Sequence, residues 1–376
     1  MISLNHMEKH FWYGKRVLVT GGDGFLASHL IKQLIAFGAC VTTTVRHTRP
    51  LNTLRLLREG EEQSANPDIE HSDLLDFFSL RRICDRHQID SIFHLAASAI
   101  VSDAANSPMS TIENNVVGTL NILEVARINK IPRVVIASTD KSYGDHANDT
   151  LEKLPYRENY ALRGLDVYSA SKVCADVLSQ TYSYQFKLPV AILRPCNMYG
   201  PADLNFSRLI PRTIMCLLSV QAPHINHGNA DVLREYMYIE DVVRGYLLVA
   251  EKIPEIYGPN NQNMPKYGKE TYGWAALNLG SYTAEELQNI SRCDKIRSVT
   301  TVIEMLRKKI KDIEPIVKAK AANFIEIPDQ YLDASKLRGL GFKSQVSFEE
   351  GLDKTIDWYK TNFNALAGLA QRYIAN

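Results

Sequence analysis

The chain has 376 residues, 45% hydrophobic and 23% charged, a globular composition that excludes a disordered chain and leaves room for a core plus an appended lobe. Its formal net charge of +1, with no block of like charges, gives no field for nucleic acid, so a nucleotide ligand has to be held by local donors. No long apolar run predicts a membrane span or a leader, and six scattered cysteines without a C-x-x-C pair suit a reducing, cytoplasmic compartment.

Residues 16–20 (RVLVT) form a short β-branched run followed at once by glycines and the amphipathic stretch 24–37, which predicts strand, tight turn, helix. A second apolar run, 39–45, follows Gly38, a helix stop. Further strands are expected at 89–95, 133–138 and 189–194, with helices between them at 76–88, 111–129 and 168–186. Such alternation implies an α/β fold, a doubly wound parallel sheet covered on both faces. Beyond residue 195 the pattern loosens, with helices near 240–252, 283–290, 299–311 and 349–360 and a long loop at 254–273. The expected plan is a dinucleotide-binding domain over 13–195 and a smaller substrate-binding lobe over 196–376, the chain crossing between them.

Gly21-Gly22-Asp23-Gly24-Phe25-Leu26-Ala27 stands between the first strand and first helix. Glycines there let the backbone approach a pyrophosphate, whose charge sits at the helix N-terminus. The second strand ends in Val45-Arg46-His47 with no carboxylate to take ribose hydroxyls. Arg46 favours a 2′-phosphate, hence NADP in preference to NAD. His224 and His227 have no third ligand spaced with them, so no metal is expected.

Tyr168-Ser169-Ala170-Ser171-Lys172 places Tyr and Lys on one helix face. With the glycine turn, His94-Leu95-Ala96-Ala97 and Arg194-Pro195-Cys196-Asn197-Met198-Tyr199-Gly200-Pro201, it resembles the extended short-chain dehydrogenase/reductase family over roughly residues 13–250. Within the family, the Asp-Lys pair of Ser138-Thr139-Asp140-Lys141 resembles CDP-glucose 4,6-dehydratases and the inverting UDP-N-acetylglucosamine 4,6-dehydratases, where dTDP-glucose and GDP-mannose dehydratases typically place a glutamate at the position of Lys141. The stretch Val45-Arg46 with Asn52-Thr53-Leu54-Arg55 is closer to the GDP-mannose enzymes, which use NADP.

The resemblance implies a Rossmann domain and an NAD(P)-dependent lyase acting on a nucleotide sugar. It places Asp73 and Leu74 beside the adenine, Leu95 to Ala97 along the cofactor, and Ser98 beside the substrate. Asn197 and Arg234 fall on the substrate diphosphate, Arg208 and Leu209 near the nucleobase. Tyr168, its ionised form favoured by Lys172 and the positive nicotinamide, would take the sugar 4-hydroxyl proton as hydride leaves C4, with Thr139 orienting that hydroxyl. Asp140 and Lys141 would supply the acid and base that eliminate water across C5 and C6. A 4-epimerase or decarboxylase would keep Tyr168, Lys172 and Thr139 without needing that pair, and a cofactor-sensing regulator would need neither. Related enzymes dimerise through helices at 111–129 and 168–186, so a homodimer is expected, with Ile122, Val125, Val173 and Val177 on the shared face.

Overall fold

The computed structural model describes residues 10–47, 51–58, 66–146, 148–226, 228–257, 273–318 and 327–374. His227 and most of the expected 254–273 loop lie outside the described residues. Six strands follow in chain order: β1 (Arg16–Thr20), β2 (Cys40–Val45), β3 (Asp68–His71), β4 (Ser91–His94), β5 (Val134–Ala137) and β6 (Val190–Pro195). Short strands β7 (Asn197–Tyr199), β8 (His224–Asn226) and β9 (Leu233–Tyr238) precede β10 (Ala276–Leu279), β11 (Ile296–Ser298) and β12 (Ile316–Lys318). One seven-stranded sheet runs in the order β10-β6-β5-β4-β1-β2-β3, parallel throughout. Its central strands are apolar and buried on both faces, as a parallel sheet sandwiched between helices requires.

The strand order reverses beside β1, which lies between β2 and β4. A crevice for ligands therefore opens at the carboxyl ends there. The main helices are α1 (Phe25–Ala36), α2 (Phe77–Arg86), α3 (Gly118–Ile128), α4 (Val167–Phe186), α5 (Leu209–Leu218), α6 (Ile239–Tyr257), α7 (Val299–Ile310) and α8 (Phe348–Ile374). Helices α1 and α6 pack together, α3 packs against α2 and α4, and α5 meets α7 and α8. A second sheet, β11-β9-β7, stands past the end of β6. None of the described helices is long and apolar enough to cross a membrane.

Several elements differ from the sequence expectation for physical reasons. Strand β3, DIEH, is a mostly exposed edge with no apolar run to announce it. Strand β10 comes from the far end of the chain and pairs with β6, extending the main sheet. The 111–129 helix is broken into Pro108–Ile112, one π-helical turn at Glu113–Val117, and α3. Near 283–290 the chain forms a kinked 3₁₀ segment, Glu286–Arg292, and α8 runs well past the expected 349–360. Ile122 and Val125 are fully buried in this chain's own core, so they do not supply a dimer face; Val177 is exposed.

One buried ion pair joins helix to sheet. Arg194 on β6 meets Asp176 on α4 through Nε–Oδ2 and Nη2–Oδ1, both 2.9 Å. Ser138 and Gln180 add donors to the same carboxylate, each at 2.7 Å. Arg194 Nη1 donates to Tyr143 and to the Glu158 carbonyl, both at 2.9 Å. Breaking a buried pair strands a charge in low dielectric. Asp176→Ala is therefore expected to cost about 3–5 kcal/mol in stability, read as a lower denaturant midpoint; an unchanged midpoint would show the pair to be dispensable.

Candidate active site

The glycine turn is shaped by close approaches. Gly21 has φ +74°, and a Cβ there would lie 2.9 Å from the Ala96 Cα; one on Gly22 would meet Thr43 Oγ1 at 2.0 Å. Gly24 caps α1 with no side-chain acceptor for the first amides of the helix. The turn thus presents backbone N–H groups at a positive helix end, a fit for a pyrophosphate anion. Phe25 opens α1 beside His29, whose Nε2 bonds the Pro201 carbonyl at 2.9 Å. Leu26 follows, partly buried.

At the end of β1 the Thr20 hydroxyl accepts from the Leu95 and Ala96 amides, each at 3.1 Å. Its own proton is then free for His94 Nδ1 at 2.9 Å. His94 Nδ1 must accept, which leaves Nε2–H to donate to Thr119 Oγ1 at 3.1 Å. Burial, helped by Lys172, pushes the ring down to about 3, so this imidazole is neutral and fixed as one tautomer. The Leu95–Ala97 backbone beside the glycine turn is thereby held in place. Ser98 is clamped by Asn115, which accepts from the Ser98 amide at 2.8 Å and donates to its carbonyl at 3.1 Å. Asn115 also reaches Ser171 at 2.8 Å, joining this loop to α4.

Asp166 caps α4, so the helix begins just before Tyr168. Tyr168, Lys172 and Asp176 then fall four residues apart on one line. Lys172 Nζ is buried and donates to the Ala137 carbonyl at the end of β5. Burial pushes this ammonium down to about 8, against the pull of Asp176. Tyr168 lies in the electrostatic neighbourhood of Arg208, Thr139 and Asp140. Its burial outweighs Arg208 and Thr139, and the phenol is pushed up to about 12.

Thr139 leaves β5 in extended conformation and caps a short turn, Asp140–Tyr143, accepting from the Lys141 amide at 3.3 Å. Its hydroxyl donates to Asp140 Oδ1 at 3.2 Å. Asp140 is buried, and its Oδ2 has no hydrogen-bond partner among the described residues. Desolvation raises its proton affinity despite Lys141 and Arg234 nearby. Lys141 is partly exposed. A buried carboxyl beside an accessible amine is an arrangement able to donate one proton and accept another.

Asn197 and Arg234 stand on β7 and β9, neighbouring strands of the second sheet. Asn197 donates to the Glu235 carbonyl at 3.3 Å. Arg234 faces Asp140 and donates to the carbonyls of Leu233 (2.9 Å), Pro328 (2.5 Å) and Ile327 (2.6 Å). Arg208 begins α5, pairs with Asp203 at 2.9 Å, and stands 5.8 Å over the Phe25 ring, with Leu209 next to it. Asp73 accepts from the Leu75 amide at 2.9 Å, and the Leu74 carbonyl from Asn121 at 2.8 Å, just past the end of β3. Arg46 is exposed one residue past β2, apart from the Tyr168 cluster.

Three groups were not singled out from the sequence. Asp176 was legible, one further four-residue step along the Tyr-Lys face. Glu235 is buried, accepts from the Ser281 amide (2.5 Å) and the Leu332 amide (3.2 Å), and is pushed up to about 7, chiefly by desolvation. Gln330, nearly 200 residues from Asp140 in the chain, donates to the Asp140 carbonyl at 3.4 Å, a contact no local pattern announces. A separate group, His146, Asp149 and Glu152, brings three potential ligand atoms within 4.8 Å. Arg163 already sits there, 2.7 Å from Asp149 and 3.1 Å from Glu152.

This fold and cluster define a class, the extended short-chain dehydrogenase/reductase enzymes that modify nucleotide sugars. Residues 18–355 match the family described as GDP-mannose 4,6 dehydratase, and the chain belongs to that family of water-removing lyases. A dTDP-glucose 4,6-dehydratase of Shigella flexneri is 31% identical over 366 residues, covering 93% of this chain and 94% of the relative. One from Escherichia coli K12 is 30% identical, covering 96% and 98%. Among solved structures, a dTDP-glucose 4,6-dehydratase from Streptomyces venezuelae with NAD bound has a TM-score of 0.75 at 26% identity, covering 94% of this chain and 99% of its own. The epimerase Mth375 of Methanothermobacter thermautotrophicus, at 22% identity and TM-score 0.77 over 95% of each chain, shares the fold.

Proposed function

We propose that this protein converts a nucleoside-diphosphate hexose, CDP-glucose-like or GDP-mannose-like, into its 4-keto-6-deoxy derivative. The observation that carries this reading is buried Asp140, hydrogen-bonded by Thr139 and adjacent to Lys141. An epimerase or decarboxylase has no use for that elimination pair. In this reading residues 13–195 chiefly hold the cofactor and 196–376 chiefly hold the sugar nucleotide.

A bound nicotinamide dinucleotide supplies the hydride acceptor for C4 and returns the hydride to C6. The glycine turn would hold its pyrophosphate, with Asp73, Leu74 and Leu95 to Ala97 along its length, and Lys172 would steady its ribose. Tyr168 and Thr139 would handle the 4-hydroxyl proton. The 4-ketone then acidifies C5, and Lys141 and Asp140 would act at the C5 proton and the C6 oxygen. Ser98, Asn197, Arg208, Leu209 and Arg234 would orient the substrate, the two arginines supplying charge for its diphosphate.

The test is incubation with CDP-glucose, GDP-mannose, UDP-glucose and dTDP-glucose, followed by mass spectrometry. One of them should yield a product lighter by one water; products of unchanged mass only would favour epimerisation. Lys141→Met should then accumulate reduced nicotinamide with little water loss, because C4 oxidation no longer leads on to elimination.

Arg46, placed past β2 with no carboxylate beside it, supports NADP as the preferred dinucleotide. The NADP bound in titration calorimetry should be held about 10-fold or more tighter than NAD, and Arg46→Ala should remove most of that difference; equal affinities in the wild type would reverse the assignment.

The exposed apolar side chains of Met109, Ile112, Val117, Leu120, Val177 and Phe186 lie on the helical segment 108–128 and on α4. They support a homodimer built on these helices, since such a stripe is an association surface. Sedimentation at micromolar concentration should show a dimer, and Val177→Glu should shift it to monomer.

A further inference from the structure

We infer that Gln330 is a positioning residue for the elimination step, holding from the far end of the chain the peptide that joins Asp140 to Lys141. This rests on the dehydratase reading and adds a residue to it.

That peptide is gripped at both polar ends. Its N–H, that of Lys141, donates to Thr139 Oγ1 at 3.3 Å, and its carbonyl, that of Asp140, accepts from Gln330 Nε2 at 3.4 Å. A peptide unit is planar, so holding its N–H and its C=O fixes the plane and the two Cα atoms at its ends. The Asp140 and Lys141 side chains leave from those two atoms. One amide therefore acts on both members of the pair. Thr139 supplies the hold from the end of β5, and Gln330 supplies it from 190 residues further along.

The Gln330 backbone is held firmly enough to serve as an anchor. Its N–H donates to the Leu233 carbonyl at 3.0 Å, and its carbonyl accepts from the Glu235 amide at 3.2 Å, so that Gln330 bridges Arg234 on β9. Glu235 grips the same segment two residues on through the Leu332 amide at 3.2 Å, and Asp329 Oδ1 accepts from the Leu233 amide at 2.8 Å. The Gln330 side chain is fully buried, and its Oε1 has no hydrogen-bond partner among the described residues. A buried amide with its acceptor end unused is costly as mere filling. Its donor end, spent on the Asp140 carbonyl, accounts for an amide at this position.

The groups for C4 oxidation hang from other contacts. Tyr168 and Lys172 stand on α4, which Asp166 caps and which Lys172 and Asp176 tie to Ala137 and Arg194. None of these contacts passes through Gln330. Loss of its amide should therefore slow elimination and leave hydride removal from C4 in place.

The experiment mixes the holoenzyme with whichever sugar of the four-member panel the wild type dehydrates, following reduced nicotinamide by absorbance and water loss by mass spectrometry. Gln330→Met keeps the length of the side chain and removes the donor. It should slow water loss by about 10- to 100-fold, while reduced nicotinamide forms at the wild-type rate and accumulates. Gln330→Glu keeps the shape and makes the donor titratable: the carboxylic acid can donate to the Asp140 carbonyl, and the carboxylate cannot. The new carboxyl would meet Asp140, Glu235 and Arg234, with Asp329 beside it and Lys141, Cys196 and Tyr156 around Asp140. Burial and the neighbouring acids favour its neutral form, and Arg234 opposes them. Dividing its water-loss rate by that of the wild type removes the titrations common to both. That ratio should be close to one at low pH and fall with rising pH to the Gln330→Met level, with C4 oxidation in the same samples unchanged. The Gln330→Met ratio should be flat, and a residue needed only for packing would give two flat ratios. If Gln330→Met fails to fold, the Gln330→Glu ratio decides alone. Normal water loss in Gln330→Met, oxidation falling in step with water loss, or a flat ratio in Gln330→Glu overturns the positioning role and leaves the dehydratase reading standing. Absence of any dehydrated product from the wild type overturns both.

Discussion

Helix α4 is bolted to the carboxyl ends of β5 and β6 by two polar contacts, and the site depends on them. Lys172 reaches the Ala137 carbonyl, and one turn further on Asp176 takes the Arg194 guanidinium in a bidentate pair. These contacts set the height of Tyr168 against the sheet end, where Thr139 leaves β5. Arg194 also carries the constraint onward through Tyr143, whose hydroxyl donates to Asn278 on β10 at 2.7 Å. A single buried network thus ties the first half of the chain to a strand contributed from the second.

Burial does more at this site than place atoms. Desolvation disfavours every charged form, raising Tyr168 and Asp140 and lowering Lys172. These three groups are therefore biased towards their neutral forms relative to ordinary side-chain values. That bias suits chemistry in which protons are shuttled between neighbouring groups, since each transfer then avoids creating an isolated ion.

What the sequence disclosed follows how local each signal was. The glycine turn, the Tyr-Lys spacing and the Thr139-Asp140-Lys141 run are contiguous, and each sits within one strand–turn or one helix face, so residue order alone implies geometry. Strands β1, β2, β4, β5 and β6 were legible as apolar runs because a doubly covered parallel strand has to be apolar along its length, whereas the four-residue β10, far along the chain, was not. Strand β3 was not, because an edge strand with solvent on its faces carries no such pattern. The dimer-face residues were half misjudged for a related reason. Helical periodicity shows that 111–129 has an apolar side but not that Ile122 and Val125 turn towards the sheet while Val117 and Leu120 turn out.

Long-range closure was beyond sequence reasoning altogether. The segment from Gln330 to Asp333 pairs with β9 on one side, the Gln330 amide donating to the Leu233 carbonyl at 3.0 Å. On the other side it pairs with the approach to α4, the Tyr156 amide donating to the Tyr331 carbonyl at 3.1 Å. Glu235 fixes it again through the Leu332 amide. A strap so placed bridges the strand carrying Arg234 and the loop carrying Asp140. Its Gln330 is fully buried, yet its Oε1 has no hydrogen-bond partner among the described residues. An apolar side chain would fill that space without the desolvation cost, so packing alone does not account for an amide there. Its Nε2 donates to the Asp140 carbonyl at 3.4 Å, a contact that an apolar side chain could not make. The distance along the chain is then no obstacle, because strand pairing on both sides holds the segment carrying Gln330 against β9 and against Tyr156.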